Sequence, residues 1–151
     1  HCYGDRLEAP GIRCVNHGHI GVEALNTLYN RCFAGLSLSM TNVSLVPWEM
    51  LAAGCIPVVN EAAHNRIVLN NPFVEYAPAD PHSLAAALGR VVSAEGFTSL
   101  ASRAAASVAS VSWDQAGRQV AAALEGTLRA PRATASVAAD ALTQNGHTHP
   151  A

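Results

Sequence analysis

Short apolar runs alternate along this chain with stretches in which apolar residues recur at helical spacing. Runs at about 1–4, 12–16, 34–39, 56–59 and 73–77 predict strands. Helical patterns fall near 23–32, from about 45 to 53, and near 82–93, where Leu84, Leu88, Val91 and Val92 share one face. A turn or short helix carries His64, Asn65 and Arg66. Strands that alternate with helices are joined by crossovers and pair in parallel, so the order predicts an α/β fold, a parallel sheet with flanking helices.

Glycine and proline mark the boundaries. Gly54 stands just past the 45–53 helix, where a left-handed residue is wanted, and Pro57 opens the next strand, where a missing N–H does least harm. A Pro-Ala-Asp-Pro stop at 78–81 precedes the 82–93 helix. After Gly96 an Ala-rich helical segment runs over about 97–110, and Ser112 is placed to cap a last helix ending near Leu128. From Ala130 the residues are mostly Ala, Thr, Ser, Pro, Gln, Gly and His with little periodicity, which predicts a disordered tail. No repeat of solenoid or propeller spacing is present.

One residue breaks the apolar centre. Between Cys32 and Asn60 the only charged side chain is Glu49. An unpaired carboxylate is expensive to bury, so a lone acid in such surroundings is expected to be neutralised, hydrogen-bonded or turned to a ligand. In an open parallel sheet, ligands bind beyond the carboxyl ends of the strands. The loop Met40-Thr41-Asn42-Val43 is such a place, because it follows a strand and leads into a helix opened by Ser44 and Leu45. Free backbone N–H groups there suit a phosphate, with a dipole contribution of ~0.3–1 kcal/mol. Glu49 lies about one turn into that helix, where it accepts hydroxyls such as those of a ribose or simply answers the helix dipole.

Composition narrows the chemistry. With 151 residues, half of them apolar, the chain belongs to the globular class, and one core of ordinary size is the default. A net charge of −2 and scattered arginines argue against nucleic acid as a partner. There is no lysine, so a phosphate site would use Arg, backbone N–H groups or a helix start. Cys2, Cys14, Cys32 and Cys55 lack CxxC spacing and read as reduced, buried thiols of a reducing compartment. No apolar run reaches the length of a membrane span, and no signal peptide is evident. The chain opens at His1 without an initiator Met and enters a strand directly, so it reads as a piece of a longer protein.

The segment SLVPWEMLAAGCIPVV, preceded by LYNRCFAGLSLS, resembles the donor-binding half of retaining GT-B glycosyltransferases of family 4, and among them the WsaF rhamnosyltransferase group. The likeness covers about residues 12–93, with weaker support from the helix at Trp113. It implies a Rossmann-like sheet forming the C-terminal half of a GT-B fold. It also implies transfer of a sugar from a nucleotide-sugar, with dTDP-rhamnose the favoured donor, to a glycan or lipid-linked acceptor. By the same likeness, Val43, Ser44 and Leu45 hold the diphosphate and Glu49 the ribose. Many family 4 members have a second acid eight residues before the first; here Thr41 stands in its place, leaving the donor sugar to Thr41 and Asn42 as neutral groups.

The leaving diphosphate itself helps take the acceptor's proton in such a transfer, so no protein nucleophile is needed. No cofactor or metal is expected either. The resemblance further implies an acceptor-binding N-terminal domain absent from this chain, and work at the cytoplasmic face of a membrane. On this reading 1–129 form a nucleotide-sugar binding domain truncated at its start and 130–151 a tail. The alternatives are a non-catalytic nucleotide or sugar-phosphate binding module, and a structural domain in which Glu49 is only a helix-start acid.

Other residues carry less. His17 and His19 lie in a loop without a carboxylate or Cys at ligand spacing, so they suit a cleft better than a metal. Arg66 is placed to pair with a phosphate or with Glu61, the surface ion pair being the ordinary outcome. His147 and His149 belong to the tail. Trp48, Trp113 and Tyr29 are expected in the core.

Overall fold

The computed structural model describes residue 11 and residues 13–129. Two compact units divide the chain after Val111. In the first, the elements are α1 (Val22–Tyr29), β1 (Ala34–Ser37), α2 (Val46–Ala52), β2 (Ile56–Asn60), α3 (Ala63–Leu69), β3 (Glu75–Ala77), α4 (Pro81–Val92) and α5 (Phe97–Ser107). The described part of the second unit is the helix α6 (Trp113–Arg129). The sequence's strand at 1–4 and its tail from Ala130, with His147 and His149, lie outside the described residues.

The three strands form a parallel sheet in the order β1-β2-β3, with Gly35 opposite Pro57 and Val58 opposite Glu75. This is the α/β, Rossmann-like arrangement that the alternation of periods requires. β2 is central, and all five of its residues are buried. Ile56 donates to Phe33 on the β1 side and Glu61 to Ala77 on the β3 side, so odd-numbered residues of β2 point their N–H groups toward β3. Pro57 is odd, and the pairing with β3 begins only at Val58, so the missing N–H opposes no ladder acceptor.

α4 packs across all three strands, while α2 packs on β1, β2 and α5. Leu51, Val58, Val59, Leu69 and Ala87 are at most 1% exposed at the centre of this core, each large side chain adding about 1.5–3 kcal/mol. On α4 the inward stripe is Leu84, Ala87, Leu88 and Val91; Val92 is 57% exposed, because at 100° per residue it lies well off the line joining Leu84 to Val91. A smaller cluster of Tyr29, Met50 and Cys55 sits beneath Cys32 and Leu25. Burial there pushes the Cys55 thiol up to about 12, with the neighbouring Cys32 adding to the effect. Cys14 and Cys32 are only partly buried.

α2 ends in a Schellman turn: Gly54 N–H donates to Leu51 O and Cys55 N–H to Met50 O, both at 2.9 Å. The turn requires φ of +75° at Gly54, and a Cβ there would also meet Ala101 Cβ at 3.2 Å.

Several elements stop short of the sequence expectation, for local reasons. Over 13–16 no strand forms, only an isolated bridge at Asn16 in a segment between the positive-φ glycines Gly11 and Gly18. α1 ends at Tyr29 because Asn30 turns its side chain back onto Asn26 O at 2.8 Å. β3 begins at Glu75, since Asn71 Oδ1 accepts from Phe73 N at 2.9 Å and holds the preceding residues in a turn. Trp113 is 78% exposed on α6 instead of lying in the core, and every residue of that helix through Leu128 is exposed: the described part of its unit offers no second element to pack against. Ser112 does cap α6, its Oγ accepting from Gln115 N at 3.2 Å. Among the described residues no helix is long and apolar enough to cross a membrane.

Candidate functional site

β1 stops at Ser37 and not at Ser39 because a side chain replaces the next strand partner. Asn60, the last residue of β2 and 2% exposed, accepts from Ser39 N at 2.7 Å and donates from Nδ2 to Ser39 O at 2.9 Å. Asn65, fully buried on α3, donates to Asn60 O at 2.8 Å and to Ser39 O at 3.4 Å. His64 Nε2 lies 3.2 Å from Ser39 O; a carbonyl only accepts, so Nε2 carries the hydrogen. Asn65 Oδ1 is buried without a partner.

From Ser39 the loop runs to α2. Ser39 Oγ donates to Asn42 O, and Thr41 Oγ1 to Asn42 Oδ1 at 3.0 Å. Val43 packs on the main core and pins the loop's far side. Thr41, Asn42, Ser44 and Leu45 are exposed. The N–H groups of Val43, Ser44 and Leu45 have no partner among the described residues. Leu45 is the N-cap of α2 and supplies no side-chain cap; Ser44 Oγ reaches Val46 N only at 3.4 Å.

Glu49 sits in the first turn of α2, its backbone N–H bonded to Leu45 O at 3.0 Å. Its side chain is exposed, so of the outcomes expected for a lone acid here, burial with neutralisation does not occur. The apolar residues of this stretch turn inward at Pro47, Met50 and Leu51, and 3.6 residues per turn carry Glu49 to the outer side. No desolvation cost therefore has to be offset, and the carboxylate is open to a solute. The structure gathers the six predicted residues onto one loop and the helix turn that follows it. It draws no hydrogen bond between Glu49 and the other five side chains.

Arg66 is committed elsewhere, to a bidentate pair with Glu61 at 2.5 Å that holds the Glu61 carboxyl below its ordinary range. The guanidinium also stacks 4.3 Å over the Tyr76 ring. A groove of about 400 Å³ opens there, lined by Arg66, Asn70, Asn71, Pro72, Val74 and Tyr76; the loop before α2 has no part in it. His17 and His19 are exposed, and no group of three metal-ligating side chains forms among the described residues.

Asn60 is the residue of this region whose part the sequence reading missed. The available signal was its place at the end of Ile-Pro-Val-Val, a polar residue closing an otherwise apolar strand.

A parallel α/β domain with an uncapped loop-to-helix junction at the carboxyl edge of its sheet has the Rossmann-like architecture in which ligands sit beyond the strands' carboxyl ends. The family model described as "WsaF, C-terminal domain" matches residues 5–89, more than half of the chain, and the chain belongs to that family, a glycosyltransferase-related domain. No curated protein and no solved structure matches it.

Proposed function

We propose that this is the donor-binding domain of a retaining GT-B glycosyltransferase of family 4, taking a nucleoside diphosphate sugar such as dTDP-rhamnose. The observation that carries the reading is the run of three unpartnered N–H groups at Val43, Ser44 and Leu45, followed one turn later by the exposed Glu49 carboxylate. Membership of the WsaF family supports assigning this junction to the donor. The amides and the positive end of α2 hold the diphosphate, and Glu49 accepts from the two ribose hydroxyls. With no lysine in the chain and Arg66 paired to Glu61, backbone groups carry most of the phosphate binding.

Thr41 and Asn42 face the sugar as neutral hydrogen-bonding groups. Transfer proceeds with retention, the departing diphosphate helping to remove the proton of the acceptor hydroxyl. A glycan or lipid-linked acceptor is supplied by an N-terminal domain, and the setting is the cytoplasmic face of a membrane.

The test is ligand-observed NMR with dTDP, UDP and GDP on the chain and on Glu49→Ala. One diphosphate should bind, and the substitution should weaken it severalfold. A folded chain that ignores all three, or binds one equally well without Glu49, sinks the assignment.

A further inference from the structure

We infer that Asn60 is a positioning residue for the loop before α2, its buried amide locking Ser39 from both sides so that the junction is pre-shaped for its ligand. The inference rests on the donor-site reading above for the identity of that ligand.

Ser39 lies two residues past β1, where its N–H and C=O would otherwise have no strand partner. The Asn60 side chain satisfies both groups at once, at 2.7 and 2.9 Å, as a neighbouring backbone would. It does so from the end of the central strand, all of whose residues are buried. Ser39 O then receives two more donors, His64 Nε2 and Asn65 Nδ2, from α3. Three donors converging on one carbonyl are more than its two lone pairs require.

The constraint passes along the loop. Ser39 Oγ donates to Asn42 O, and the next residue, Val43, is seated on the core, so the segment is held at both ends. Its three free N–H groups follow directly. Fixing them before binding removes ordering entropy that the ligand would otherwise have to overcome. The residues that set affinity here need not touch the ligand at all.

Two readouts separate this from a merely structural role. In the unliganded chain, amide hydrogen exchange at Ser39 should speed up about tenfold or more in Asn60→Ala, from loss of the bonds to Ser39. His64→Ala should give a smaller increase, and His64→Gln, whose amide can still donate to Ser39 O, should restore protection. In the second readout, Asn60→Ala should raise the Kd for dTDP about tenfold, His64→Ala severalfold, and His64→Gln hardly at all.

Unchanged loop exchange in Asn60→Ala overturns the clamp, whatever dTDP does. Faster exchange with an unchanged dTDP Kd overturns the positioning role. A wild-type chain that binds none of the three diphosphates overturns the donor reading and the ligand half of this inference, while exchange still decides the clamp. If Asn60→Ala does not fold, the His64→Ala and His64→Gln pair decides both questions by the same two readouts.

Discussion

Two helices in this domain are entered from the carboxyl end of a strand by a polar loop, and they differ in how their first N–H groups are capped. α4 is closed: Asp80 caps it, accepting from Ser83 N at 2.9 Å. Both helices carry a proline in the first turn, Pro81 in α4 and Pro47 in α2, so the difference lies in the cap. α2 is open: its N-cap is Leu45, and no side chain satisfies the donors around it beyond the long contact from Ser44. A helix start without a side-chain cap forgoes stability worth about 1 kcal/mol. α1, α3 and α5 also begin without a side-chain cap, so the open start of α2 fits the proposed donor site only together with its exposed loop and Glu49.

The largest effect should come from the seat of α2. Leu51 is fully buried on that helix, which packs on β2 and α5, and Leu51→Ala should cost about 2–5 kcal/mol in urea unfolding by loss of packing and creation of a cavity. If α2 were only a loosely attached presenting element, the loss would be far smaller. Next is Gly54→Ala at the other end of the helix, where φ of +75° and the approach of Ala101 both resist a Cβ. A destabilisation of about 1–2 kcal/mol is expected, again by urea unfolding.

How much of this contrast could be read from the sequence follows from how local each cause is. Gly54, Pro57, Ser112 and the Asp80-Pro81 boundary announced their elements, because caps and turns depend on neighbours a few residues away. The predicted site residues are likewise close together in the chain, and they land on one loop and the turn that follows. That Glu49 faces outward was not legible, because counting charges along the chain does not say which side of a short helix faces out. The role of Asn60 was hidden for a different reason: it acts across twenty-one residues on a backbone group beyond another strand, and no periodicity encodes that pairing. Trp113 shows the same limit, since burial of a helical aromatic depends on what packs against it.

Asp80→Ala tests the closed helix. It should lower Tm by a few degrees and leave dTDP binding unchanged, measured by thermal melting and by ligand titration. Its pH signature has a definite sign. Hydrogen bonds from Ser83 hold the Asp80 carboxyl below its usual range, so the unfolded chain binds a proton at higher pH than the folded one. The contribution is present above the unfolded pKa and fades as pH falls through the folded value. The wild-type Tm should therefore decline on the acid side more steeply than that of Asp80→Ala, and parallel acid limbs would show that the cap does not stabilise α4.

Ser44→Ala is the smallest change and the sharpest contrast. If the start of α2 is open, its hydroxyl contributes little to the fold, because a 3.4 Å contact to Val46 N is too long for a strong cap. The expected loss is within about 0.5 kcal/mol. The backbone N–H of residue 44 survives the substitution, so dTDP affinity should fall at most about twofold, whereas Glu49→Ala removes the carboxylate and should cost severalfold with the same negligible change in Tm. A large stability loss in Ser44→Ala would mean that serine caps α2 after all and that the two helices begin alike. Equal binding losses from Ser44→Ala and Glu49→Ala would shift the recognition of the diphosphate from the backbone to the serine hydroxyl.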